Sequence, residues 1–151
     1  MAWSRDRSVL LSIACTRAVM ALGVALAVAL PFLCAGDFFM GRALLAPEHV
    51  VWIMPVYYAF CVPAYIALGS LDRLLASIRR EEVFTHGNVR HLRVISWMCL
   101  VASLVLLVSS LVSIVFFALA VLAAFFGVIL RAVKNLFAAA VDLKHENDFT
   151  I

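Results

Sequence analysis

The sequence predicts an all-α membrane protein: four transmembrane helices in an antiparallel bundle, both termini cytoplasmic, with helical extensions on the cytoplasmic side. Three observations predict it. Hydrophobic residues make up 66% of the 151 residues and charged residues only 14%, too few polar groups to cover a soluble globule of that size. The mean hydropathy of +1.10 says the same. Finally, the few charges are gathered at the ends of long uncharged stretches and do not alternate with apolar residues.

About 20 apolar residues of helix cross the ~30 Å hydrocarbon core of a bilayer. The first span is read at about 18–36, uncharged and ending at Asp37, and the second at about 50–71, ending at Asp72 and Arg73. No small-residue cleavage site with a polar region behind it follows the first block, so that helix is expected to stay. Arg17 is read at the interface, able to snorkel to water, with residues 9–16 as an interfacial or tilted first turn. A span starting at Val9 is the alternative, and would put Arg17 inside the membrane. Pro63 lies near the middle of the second span, where its missing N–H predicts a kink.

Residues 94–130 contain no charge at all, and a single helix of that length would measure about 55 Å, far more than one crossing. The chain must fold back. Ser109, Ser110 and Ser113 mark its least apolar part, which places a turn near 110–116 between spans of about 94–112 and 115–131.

Sidedness follows from the cations. Arg5 and Arg7 precede the first span, Arg73, Arg79, Arg80, Arg90 and Arg93 lie between the second and third, and Arg131, Lys134 and Lys144 follow the fourth. The segment 37–49 has only Arg42. The positive-inside rule therefore puts both termini and loop 72–93 in the cytoplasm of a cell-membrane protein, as a single domain over 1–151.

The cytoplasmic pieces have their own pattern. Leu71, Leu74, Leu75 and Ile78 share a helix face opposite Asp72, Arg73, Arg79 and Arg80, so the second helix should continue to about Glu81 and Glu82. Thr85 reads as the N-cap of the next helix, with Phe84 and Val89 as a hydrophobic staple. Arg79, Arg80, Arg90 and Arg93 form a basic collar suited to anionic headgroups or an acidic partner. After Arg131, the positions Val133, Leu136, Phe137, Ala140, Val141 and Lys144 keep a helical rhythm over 132–151, an apolar stripe that needs cover. Lys144, Glu146, Asn147 and Asp148 close it with a charged tail that is the natural place for a partner contact.

Catalysis, cofactors and metals have no support in the pattern. There is no H-E-x-x-H, G-x-S-x-G or paired intramembrane Asp. His86 and His91 stand apart from any ligand spacing, and Cys15, Cys34, Cys61 and Cys99 read as small apolar packing residues. Direct nucleic-acid binding is not expected, since the arginines lie within a Debye length of lipid headgroups and no reading helix is present. Ala21, Gly23, Ala25, Ala27 and Ala29 in the first span, and Ala118, Ala120, Ala123, Ala124 and Gly127 in the fourth, allow close helix approach, within one chain or across a homo-oligomer.

Two segments carry a resemblance. Val83-Phe84-Thr85-His86-Gly87-Asn88-Val89-Arg90-His91-Leu92-Arg93-Val94-Ile95-Ser96-Trp97 is similar to the pattern F-T-x-E-N-V-x-x-L-R-x-I-x-W. The ending Leu143-Lys144-His145-Glu146-Asn147-Asp148-Phe149-Thr150-Ile151 is similar to L-K-E-E-N-D-L-T-I. Both patterns mark the YoaS-like bacterial four-helix membrane proteins, a family of unknown function that the chain resembles over essentially its whole length. Gly87 and His145 stand where that family commonly has Glu. The genes of such proteins commonly neighbour one for a small Cro-like helix-turn-helix regulator. The resemblance thus implies a membrane-embedded regulatory or interaction protein that binds or restrains that regulator. The alternative is a small transporter or channel subunit, against which stands the lack of intramembrane carboxylates, His or broken Gly-rich segments.

Overall fold

A computed structural model describes residues 2–35, 47–80, 85–111 and 114–148. They form four helices and no strand: α1 (Ala2–Ala35), α2 (Pro47–Arg79), α3 (His86–Ser109) and α4 (Ile114–Asp148). All four are long and apolar enough to cross a membrane. This is a multi-pass membrane protein. Most of loop 37–49, together with Glu81, Glu82, Phe84 and the last three residues, lies outside the described residues, and the proposed staple with it.

Each helix outruns the uncharged stretch that predicts it. α1 is continuous through residues 9–16, where Ser12 Oγ donates to the Ser8 carbonyl at 3.0 Å and Thr16 Oγ1 to that of Ser12 at 2.8 Å. These hydroxyls are satisfied by their own helix, so they do not interrupt it. α2 runs through both Pro55 and Pro63 and ends at Arg79, with Arg80 in a turn. Thr85 caps α3 as expected, in extended geometry (φ −130°, ψ 148°), its side chain accepting from the Asn88 N–H at 3.4 Å.

The hairpin between α3 and α4 turns without Gly or Pro. Ser110 caps α3 in right-handed helical geometry, and both its N–H (3.2 Å) and its hydroxyl (2.6 Å) donate to the Leu107 carbonyl. A serine at the helix end thereby supplies the donor that an orphan carbonyl lacks. α4 then begins at Ile114, within the expected turn.

The helices are arranged as a row. α1 packs on α2, α2 on α3 and α3 on α4, while among the described residues no other pair of helices approaches closely. α3 supplies most of the buried side chains, with Val89, Leu92, Ile95, Ala102 and Leu106 on one stripe. α1 and α4 present large apolar side chains outward, such as Leu22 and Phe32 or Phe125 and Val128, as expected where lipid is the solvent.

Polar bonds hold the seams. All three tyrosines of the chain sit on α2 and donate to carbonyls of α1: Tyr57 to Gly23 (2.8 Å), Tyr58 to Ala27 (2.8 Å) and Tyr65 to Met20 (2.9 Å). Ala27 is the carbonyl that residue 31 should engage, but residue 31 is Pro31 and has no N–H to give. The Tyr58 hydroxyl replaces that donor. Across the last seam Ser96 donates to Gly127 (2.9 Å) and Ser103 to Ala120 (2.8 Å). Ala120 and Gly127 are buried there, whereas Ala118, Ala21 and Ala25 face outward. Only part of each small-residue stripe serves as contact surface.

Candidate functional site at the charged end

The three tyrosines, Ser96 and Ser103 are thus engaged between helices, and Ser12, Ser109 and Ser110 within their own; the charged chemistry lies at one end. There Arg17 of α1 meets Asp72 of α2, Nε to Oδ1 at 3.0 Å and a guanidinium nitrogen to Oδ2 at 3.5 Å. On the far side of this pair α1 is uncharged to its end at Ala35, about 28 Å of helix and close to the thickness of a hydrocarbon core. Arg17 is thus compensated, and the uncharged length of α1 beyond it suffices for one crossing. Asp72 was not singled out by the sequence pattern, because nothing in one chain's linear order says which helix will face Arg17.

Of the predicted contact residues, Arg79 closes α2 and Arg80 lies in the turn behind it, both exposed. They share with Arg17 a cavity of about 600 Å³ between α1 and α2, whose apolar wall is Leu10, Ile13, Ala14 and Ala76. Arg90 and Arg93 are exposed on α3. The collar does not converge on one place, for Arg93 lines a second cavity of about 310 Å³ together with Ser96, Trp97, Arg131 and Lys134. In it the Arg131 guanidinium lies over the Trp97 ring, 5.3 Å from its centroid. Lys144 and Glu146 are exposed near the end of α4; Asn147 and Asp148 complete that helix, and their side chains are outside the described set.

The middle segment divides into a cap, a buried face and an exposed face. Thr85 is the cap, Asn88, Val89, Leu92 and Ile95 are the buried face, and Arg93 with Trp97 is the exposed face that enters the second cavity. Asn88 is the most deeply buried polar side chain at 2% exposure, and no buried side-chain N or O among the described residues lacks a partner. Trp97, Arg131 and Lys134 were not recognised as one site from sequence. The spacing of Arg93 and Trp97, one helical turn apart, was the available signal.

No group of three His, Cys, Asp or Glu that could hold a metal occurs among the described residues. A third hollow, about 760 Å³, is walled by α2 and α4 over a floor of α3, and its exposed lining is wholly apolar.

Residues 39–151 match the family described as a protein of unknown function, DUF2975. The chain belongs to this family. No curated protein and no solved structure matches it. The DUF2975 match takes in α2, α3 and α4 and leaves α1 outside, so it covers less of the chain than the resemblance over its whole length suggested. It includes both cavity-lining sides of the α3 and α4 seam.

Proposed function

We propose that this DUF2975 protein is a non-catalytic docking protein of the cytoplasmic membrane. In this reading its termini lie in the cytoplasm, and α4 holds a small helix-turn-helix transcription regulator of the kind implied by the YoaS-like resemblance. One observation supports it above the others. α4 does not stop at Leu130, where the uncharged stretch ends, but continues as the same helix to Asp148, about 27 Å further.

On that projection the predicted apolar stripe divides. Val141 is buried at 3%, and Val133, Phe137 and Ala140 are half-buried, whereas Leu136 and Leu143 are 71% and 66% exposed. Ala132, Leu136, Ala139 and Leu143 are all exposed and spaced four, three and four residues apart. That is the seam spacing by which one helix receives another. Because the projection continues a membrane-crossing helix, it leaves the bilayer and cannot lie flat on the headgroups. A protein helix is the cover this geometry suits.

The test is co-purification of the tagged full-length protein from its native membrane in mild detergent, with Leu136→Asp/Leu143→Asp and a truncation lacking residues 142–151. Recovery of a small helix-turn-helix protein with the parent, lost with both variants, supports the reading. Unchanged recovery with the variants sinks the placement on α4. If the parent instead purifies as a dimer that the variants dissociate, the seam belongs to a second copy and the regulator reading fails.

A further inference from the structure

We infer that the α3 and α4 seam at the charged end is a binding site for the phosphate of an anionic membrane phospholipid, held by Arg93, Arg131 and Lys134 with Trp97 beside it. Five residues from two helices line this cavity: three cations, one serine, one tryptophan and no carboxylate. Among the described residues none of the three cations is ion-paired, in contrast to Arg17, whose charge Asp72 answers. Ser96 gives its hydroxyl to the Gly127 carbonyl across the seam, which fixes the spacing of the two helices at this level. Arg131 lies over Trp97, its guanidinium carbon 5.3 Å from the ring centroid. Three cations with no ion-pair partner among the described residues, around about 310 Å³, suit a compact anion.

The surroundings select a lipid over a free phosphate. On α3 the cavity face continues away from the charged end through Val101, Leu104 and Val108, which follow Trp97 at helical spacing and are 40%, 61% and 64% exposed. On α4 the same side continues from Arg131 through Val128, Val121 and Phe117, exposed at 61%, 53% and 46%. A cationic mouth, a tryptophan at the boundary and two aliphatic rails toward the membrane interior match phosphate, glycerol and acyl chain in that order.

The experiment is lipid titration of the full-length protein in detergent by native mass spectrometry, with phosphatidylglycerol, phosphatidylcholine and inorganic phosphate as separate probes. Phosphatidylglycerol should bind, phosphatidylcholine clearly more weakly, and phosphate should not compete. Arg131→Gln with Lys134→Gln should weaken phosphatidylglycerol binding by roughly 25-fold, about fivefold per cation. Arg90→Gln with Lys144→Gln removes the same charge outside the cavity and should change binding less than threefold. Equal losses from both pairs, equal binding of phosphatidylcholine, or displacement by inorganic phosphate would each overturn the assignment. Arg131→Lys guards against misfolding: it keeps the charge and should keep most of the affinity, and its loss of affinity to the level of the double variant would also overturn it.

Discussion

At the scale of single residues, the membrane changes the worth of a hydroxyl. Tyr57 and Tyr65 donate to carbonyls that already have a helical N–H partner, so removing either oxygen removes a second bond. Interhelical bonds of that kind average about 0.6 kcal/mol. Tyr58 differs, because Pro31 leaves the Ala27 carbonyl without its usual donor. Tyr58→Phe should therefore cost about 1–2 kcal/mol, the penalty of an unsatisfied polar group where no water can replace it. In a Pro31→Ala background, where the N–H is restored, the same change should fall to about 0.6 kcal/mol. Reversible unfolding in mixed detergent micelles measures the cycle, and equal costs in both backgrounds would refute the replacement of one donor by the other. Gly87 is the opposite case, a residue whose identity the packing does not require. It is exposed near the start of α3, and a Cβ there would meet only Thr85 Oγ1, at 3.8 Å. Gly87→Glu should stabilise by about 1 kcal/mol, from helix propensity and from a carboxylate in the first turn, seen as a higher melting temperature in detergent.

At the scale of elements, two features that depend on near neighbours in the chain could be read from the sequence. The Thr85 cap and the serine turn rest on local hydrogen bonds between near neighbours in the chain, and both were legible. What joins helices was not. Asp72 opposite Arg17, and Trp97 beside Arg131, depend on which faces meet, and an apolar stripe looks alike whether it meets lipid or another helix. Among the small residues of the fourth span, the structure singles out Gly127. A Cβ there would come within 3.1 Å of two Leu100 carbons and 3.4 Å of Cys99 Cβ. Its carbonyl also accepts from Ser96. Gly127→Val should cost about 1–3 kcal/mol by overpacking the seam. Pairing it with Leu100→Ala should recover part of the loss. A Gly127→Val protein as stable as the parent would show that α3 and α4 separate easily.

At the scale of the whole molecule, the four membrane-crossing helices could be counted from charge and length, but their order of contact could not. The row makes α1 an outer element that, among the described residues, packs on α2 alone, and it lies outside the family match. Among the described residues its attachment includes small-residue contacts, three tyrosine hydroxyls and the Arg17–Asp72 ion pair, with side-chain exposures of 67% for Arg17 and 27% for Asp72. An exposed pair contributes at most about 1 kcal/mol, so the tyrosines and close packing must carry the attachment. Gly23 shows how close that packing is, since a Cβ there would lie 2.6 Å from Tyr65 Oη. It follows that the chain should survive being cut between α1 and α2. Residues 1–40 and 41–151, co-expressed as separate chains, should reach the membrane and co-purify, because each seam that remains is complete on its own side of the cut. Tyr57→Phe, Tyr58→Phe and Tyr65→Phe together in the larger piece should abolish capture of the smaller one, while Asp72→Asn should reduce it only slightly. If Asp72→Asn alone releases α1, the pair is a stronger clamp than its exposure allows, and Arg17 lies deeper in the membrane than the interfacial position expected from the sequence.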